Sequence, residues 1–161
     1  MTAPMTAPQK RPGASGPSVP QTLDHYLSAN HRDDIVGTLE YLERGSALVT
    51  PDAIQGLRRL RPALQAKIAR IDSSDHLRQR LDLLALYFDE ACRDGTTGTP
   101  PHCDVTFALL YFLKGFDRIP DSVPEIGLLD DALIVQTVLQ RHATTLRAHW
   151  LRQRRSWPAE L

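Results

Sequence analysis

Three groups of side chains in this 161-residue chain carry enough chemistry to be weighed as sites. The first is acidic. Asp117, Asp121, Asp130 and Asp131 fall within one short stretch, Asp117-Arg118-Ile119-Pro120-Asp121-Ser122-Val123-Pro124-Glu125-Ile126-Gly127-Leu128-Leu129-Asp130-Asp131. Carboxylate oxygens are what Mg²⁺ and Ca²⁺ take as ligands, so convergence of three of these acids would make a divalent-cation site. The competing reading gives each acid a local duty. Asp117 and Asp121 accept backbone N–H groups as caps or Asx-turns, and Asp130 and Asp131 sit in the first turn of the last helix, where negative charge suits the dipole. That reading is preferred, because a carboxylate metal site in a helix bundle usually adds a Glu-x-x-His pair, and the chain has none. No cofactor is therefore expected, with Mg²⁺ or Ca²⁺ on the loop acids as the alternative.

The second group is His102-Cys103-Asp104 with Cys92. Its spacing fits no zinc pattern, and adjacent residues on a helix point apart, so a Cys–His nucleophile pair within it is not expected. A helix start after Pro100-Pro101 accounts for these residues. The third group is basic and aromatic: His142, His149 and Trp150 stand among Arg141, Arg147, Arg152, Arg154 and Arg155. Arg147, Arg152, Arg154 and Arg155 would form a basic surface able to touch nucleic acid or anionic lipid. A solvated helix end, where cations are favoured, is the preferred reading of these residues. A Gly-rich phosphate loop, a G-x-S-x-G elbow and an H-E-x-x-H pair are all missing, which removes the reaction classes those motifs serve.

Composition gives no global pointer to nucleic acid or to an anionic membrane. Net charge is zero, with hydrophobic content of 42% and charged content of 24%, ordinary for a globular domain. Charge is nevertheless uneven. Asp104 to Asp131 holds six acids, whereas Arg141 to Leu161 holds five arginines and the single acid Glu160. The two cysteines, Cys92 and Cys103, read as reduced thiols of a cytoplasmic protein. No apolar run of signal-peptide type begins the chain. The longest apolar run, Phe107 to Leu113, is far short of the roughly 20 residues that span a bilayer.

The elements that must position these groups read as helices. Prolines at 4, 8, 12, 17 and 20 make residues 1–20 a disordered tail. Residues 21–161 then read as one helical domain. Leu23, Tyr26 and Leu27, then Ile35, Leu39 and Leu42, follow helical spacing, and Gly45 is placed to end that second helix. Thr50-Pro51 caps the next, with Ile54, Leu57, Leu60, Leu64 and Ile68 on one face and Pro62 expected to kink or split it. Asp72-Ser73-Ser74 restarts the chain, and Leu77, Leu81, Leu84 and Phe88 mark another apolar face that ends near Gly95. An apolar helix is predicted from about Cys103 to Lys114. The Pro/Gly/Asp-rich loop follows, and then one last helix from about Leu128 to Arg154 with Leu133, Ile134, Val138 and Leu146 inward. No segment alternates with period two, so the fold class is all-α, a bundle of about five or six helices.

The pattern Asp-x-Ile-Pro-Asp-x-x-Pro-x-x-Gly-x-x-Asp-Asp, with its flanking helices from about Phe107 to Gln140, resembles the YkvA-like domain, a short bacterial domain of unknown function. The resemblance implies a helix–loop–helix hairpin, extended here to a terminal helix over 103–155, with frequent membrane association and no established catalysis. This chain departs from the pattern at Arg118, Ser122 and Glu125, where apolar residues are usual, and at Lys114-Gly115. Charge is costly in a bilayer, so the departures argue for a hairpin packed on its own N-terminal helices. The resulting expectation is a non-enzymatic interaction or adaptor module, cytoplasmic or peripheral at the inner membrane. Its functional surface would centre on Asp117, Asp121, Gly127, Asp130 and Asp131. An unidentified protein partner, a second copy of the chain or a membrane surface would be its target, and nucleic acid would not. A metal-dependent protein using the loop acids, and a hairpin that inserts into membrane, are the alternatives.

Overall fold

The computed structural model describes residues 37–114 and 129–158, together with Leu23. The tail expected over 1–20, the first predicted helix apart from Leu23, and the loop positions Asp117, Asp121 and Gly127 lie outside the described residues. Within them, six α-helices and no strands are found, as the helical spacing required. α1 spans Thr38–Ala47, α2 Pro51–Ile68, α3 His76–Arg93, α4 Pro100–Lys114, α5 Leu129–Arg141 and α6 Ala143–Arg152.

The caps follow from residue chemistry. Thr50 is extended, and its hydroxyl accepts the Ala53 N–H at 3.2 Å while Pro51 opens α2, a position where no N–H is needed. Asp72 accepts the backbone N–H of Ser74 at 2.9 Å, and Asp75 then caps α3 by accepting the Leu77 N–H at 2.8 Å. α4 begins at Pro100, three residues before the expected start, because the Thr99 carbonyl already accepts the Cys103 N–H at 2.9 Å. α6 closes in a Schellman turn: the Arg155 N–H returns to the Trp150 carbonyl at 3.0 Å and the Arg154 N–H to Leu151 at 2.9 Å.

α4 is the axis of the bundle. It packs against α1, α2, α3 and α5. Val105, Phe107, Ala108, Leu109, Leu110, Tyr111 and Phe112 are all buried, so the helix is covered on every side. That burial accounts for an apolar run that is not amphipathic. Leu42, Leu57, Leu64, Ile68, Leu81, Leu84, Phe88, Val135, Val138 and Leu146 close around it, and Leu23 is fully buried in the same core. No described helix is long and apolar enough to cross a membrane.

Four local expectations are corrected. Gly45 does not end its helix: α1 runs on to Ala47, and Gly45 is buried where the Phe107 ring crosses it. Pro62 does not split α2, which is unbroken through Ile68. Its ring lies on the exposed side, where water can serve the carbonyl that loses its donor. The predicted last helix is two helices, since His142 leaves helical geometry at φ −115° and ψ 21°. Leu133 and Leu39, assigned to inward faces, are 42% and 49% exposed; Val135 and Leu139 take the inward positions on α5.

Candidate functional site

Polar groups inside this bundle fall into three internal clusters and one open cleft. The first cluster joins the break between α5 and α6 to the start of the central helix. Asp104 is buried, and His142 Nε2 lies 2.6 Å from its Oδ2. Arg141 Nε stands 3.5 Å from the same oxygen and reaches Glu43 Oε1 on α1 at 3.1 Å through Nη1. The displaced backbone at His142 is what lets its ring turn back to α4.

The second cluster ties the C-terminal segment to α3. Arg155 donates to both oxygens of the buried Glu90 carboxylate, at 2.7 and 2.8 Å, and His149 Nε2 is 3.3 Å from Oε1. The paired guanidinium hydrogen bonds hold the Glu90 carboxyl below its usual range, against the opposing effect of burial. Arg155 also lies over the Trp150 ring at 5.2 Å, the C″-to-C3 contact that usually accompanies a Schellman turn. Bidentate geometry of this kind is the strong form of the ion pair.

The third cluster is the thiol–imidazole group. His102 is fully buried and stacked on Phe88, with ring centroids 5.0 Å apart. Its Nδ1 accepts the Gly98 N–H at 3.1 Å, and its Nε2 is 3.7 Å from Cys92 Sγ. The partner thiol is therefore Cys92, from the preceding helix, and not the adjacent Cys103. Burial pushes both cysteine thiols up and the His102 imidazole down. A nucleophilic pair needs thiolate and imidazolium, and this environment favours the opposite protonation of both. The cluster is a neutral packing unit that anchors the start of α4.

The open cleft is of another kind. It measures about 290 Å³ and is lined by Arg80, Gln136, Leu139, Gln140, Ala143, Arg147 and Trp157. Gln136, Gln140, Ala143 and Arg147 recur at helical spacing along α5 and α6. α3 supplies Arg80 opposite them, and the segment after α6 supplies Trp157. Arg147 lies over the Trp157 ring at 5.6 Å, and Trp157 meets Trp150 edge-on at 5.9 Å. A second, more open hollow of about 460 Å³ adjoins it along Arg147, Leu151, Arg155, Ser156, Trp157 and Pro158.

The predicted site residues are distributed unevenly over this picture. Of the acids, Asp131 is buried in the first turn of α5, and the side chain of Asp130 lies outside the described residues. Of the basic set, Arg147 lines the cleft, Arg152 and Arg154 are exposed, and Arg155 is tied to Glu90. Arg61 is likewise held, by both oxygens of Asp89 at 2.9 and 2.8 Å. Among the described residues no group of three or more His, Cys, Asp or Glu is placed to hold a metal ion. Sequence reasoning missed Arg80 and Trp157. Their one visible trace was the polar Gln136, Gln140 and Arg147 row on an otherwise apolar helix pair.

One family model matches the chain, over residues 105–136, and its description is "Protein of unknown function (DUF1232)". YkvA-like is a name of that family. The match falls on the α4-to-α5 stretch. No curated protein and no solved structure matches the chain. The matched stretch covers most of the central helix and the first half of α5, so its described part is mostly core. Gln136 is its last residue and the one member of the cleft that it contributes. The remaining cleft residues belong to parts of the chain that the match does not cover.

Proposed function

We propose that this chain is a non-enzymatic helical interaction module that presents a basic C-terminal face to an acidic partner. The observation that carries this reading is a contrast in how charge is used. Asp104, Glu90, Asp89 and their Arg or His partners are matched across helices, and both thiols and His102 are held neutral. Among the described residues no carboxylate pairs with Arg147, Arg152 or Arg154. Unmatched cations at a surface steer and select anionic partners more than they stabilise the fold. The acids Asp117, Asp121, Asp130 and Asp131, with Gly127, remain the proposed second half of the surface. Insertion of the hairpin into membrane is disfavoured, because it would strip the core from around α4.

The test is capture from native lysate with wild-type protein, with Arg152→Glu/Arg154→Glu, and with Asp121→Ala/Asp130→Ala, each first shown to be folded. A partner set retained by the wild type and lost on charge reversal is the expected result. Loss on the acidic double variant alone would move the site to the loop. Identical partner sets for all three proteins would end the reading. Co-sedimentation with anionic vesicles, at low and at high salt, separates a peripheral membrane target from a protein one.

A further inference from the structure

The cleft between α3 and α6 has donors without acceptors. Arg80 Nε and Trp157 Nε1 are both buried and have no hydrogen-bond partner. Arg147 joins them with its guanidinium spread over the Trp157 indole. No acidic residue is among the described residues that line the cleft. Buried donors left unmade cost far more than a hydrogen bond gains, and charged ones cost most. Three other arginines have carboxylates, Arg61 with Asp89, Arg141 with Asp104 and Glu43, and Arg155 with Glu90, although Arg61 Nη1 is also a buried donor without a partner. Here Arg80, Arg147 and Trp157 line one cleft, and no acceptor for Arg80 Nε or Trp157 Nε1 is found among the described residues.

We propose that this cleft binds a phosphate monoester. The required ligand has several acceptor oxygens and a charge that two arginines can neutralise, and a phosphate dianion has both. Arg in place of Lys suits it, because the planar fork meets two oxygens at once. Gln136 and Gln140 add neutral amide donors on the α5 wall. The cleft volume of about 290 Å³ accepts a phosphate with a small organic group. Beyond the shared wall of Arg147 and Trp157, the open hollow reaches Leu151, which is 76% exposed, so the esterified group can leave in that direction. The same chemistry is offered by a free phosphorylated metabolite and by a phosphomonoester lipid headgroup. This site shares Arg147 with the basic face but does not rest on the partner-docking reading, which is tested at Arg152 and Arg154, outside the cleft.

Glycerol 3-phosphate, inorganic phosphate and vesicles of phosphatidylcholine with or without phosphatidic acid are the probes. Binding is read by calorimetry and by emission of Trp150 and Trp157, the two tryptophans of the chain. Saturable, one-to-one binding of glycerol 3-phosphate is expected. Arg80→Gln and Arg147→Gln should each weaken it by roughly tenfold or more, as loss of a charge-assisted hydrogen bond does. Trp157→Phe, which keeps the ring and removes the N–H, should weaken it by about threefold. Arg152→Gln should leave it unchanged. A fifth variant needs no loss of fold: Gln140→Glu places a carboxylate inside the cleft, and should raise the melting temperature while abolishing phosphate binding. Binding restricted to phosphatidic acid vesicles, and lost in Arg80→Gln, assigns the headgroup as the source. The proposal is overturned if none of the probes binds saturably, or if Arg152→Gln weakens binding as much as Arg80→Gln does. Phosphate binding with unchanged lysate partners would sink the docking reading and leave this site standing.

Discussion

Gly45 on α1 and Phe107 on α4 are in contact so close that no side chain fits between them. A Cβ built on Gly45 would lie 2.2 Å from Cε2 and 2.4 Å from Cζ of the Phe107 ring. Phe107 is fully buried and edge-on to Tyr41 at 5.5 Å, so it has little freedom to retreat. Replacing a helical Gly by Ala ordinarily gains about 1 kcal/mol of helix propensity. Forced overpacking costs about 1–3 kcal/mol, and the rigid ring puts this site towards the upper part of that range. Gly45→Ala is therefore expected to destabilise the protein in urea unfolding. In a Phe107→Leu background the same substitution should become neutral or stabilising. A Gly45→Ala that stabilises the wild-type protein would show that α1 and α4 do not pack this closely.

Glu90 and Arg155 join α3 to the C-terminal segment, and their pair has a defined pH signature. The Arg155 hydrogen bonds lower the Glu90 carboxyl in the folded state. As pH falls, the unfolded chain takes up the proton first. The pair's stabilisation is thus fully present above the ordinary glutamate value of about 4.3 and is lost as pH drops through the lowered folded value. Urea midpoints measured from pH 6 down to pH 3 should fall less steeply in Glu90→Gln than in wild type. The variant should also melt several degrees lower at pH 7, because Arg155 and His149 lose their shared acceptor. Parallel pH profiles would mean that the bidentate contact does not form in solution.

His102 works at a higher pH. Burial lowers its imidazole value in the fold, so the unfolded chain binds the proton first as pH falls below about 6.5. Its contribution to stability is complete above that value and declines below it. The stability difference between wild type and His102→Gln should therefore shrink from pH 7.5 to pH 5.5. A companion measurement probes Cys92 and Cys103, whose thiols burial pushes up. Both should react slowly with a disulfide reagent at neutral pH and quickly only in denaturant. Fast labelling of Cys92 in the native protein would overturn the account of this cluster as neutral packing.

How much of this was legible in the chain depends on the range of each interaction. Local signals read well. Thr50-Pro51 capped α2, the apolar spacing of α2 and α3 chose the buried faces, and the family-model match over 105–136 was visible in its own motif. Long-range contacts did not read. Gly45 looks like a helix terminator unless Phe107, sixty-two residues later, is known to press on it. His142 carries no mark of a helix break, and its contact with Asp104 on another helix is visible only in the fold. Arg155 looked like one more cation on a basic tail, and only the fold shows that Glu90 holds it. The cleft was the least legible feature. Its charged walls, Arg80 and Arg147, come from separate helices, and Trp157 from beyond both. The acidic loop, the strongest local pattern, falls largely outside the described residues, so its role rests on the chemistry of its residues.

Arg154 offers a last test, of how the C-terminal segment is held. It stands at φ +58°, a conformation that a side chain disfavours by roughly 1–2 kcal/mol. The cause is visible in its neighbours. The N–H groups of Arg154 and Arg155 bond back to Leu151 and Trp150, and Arg155 is fixed by Glu90 and by the Trp150 ring. The left-handed residue is what turns the chain so that Trp157 can reach Arg147 and close the cleft. Arg154→Gly should relieve the backbone and stabilise the protein by a few tenths to about 1 kcal/mol, in spite of glycine's greater freedom when unfolded. Arg154→Val, branched at Cβ, should destabilise it and shift the tryptophan emission to the red as Trp157 leaves the cleft. If Arg154→Gly and Arg154→Val unfold at the same urea concentration, the segment is not held by this turn, and the wall that Trp157 gives the cleft has to be secured in some other way.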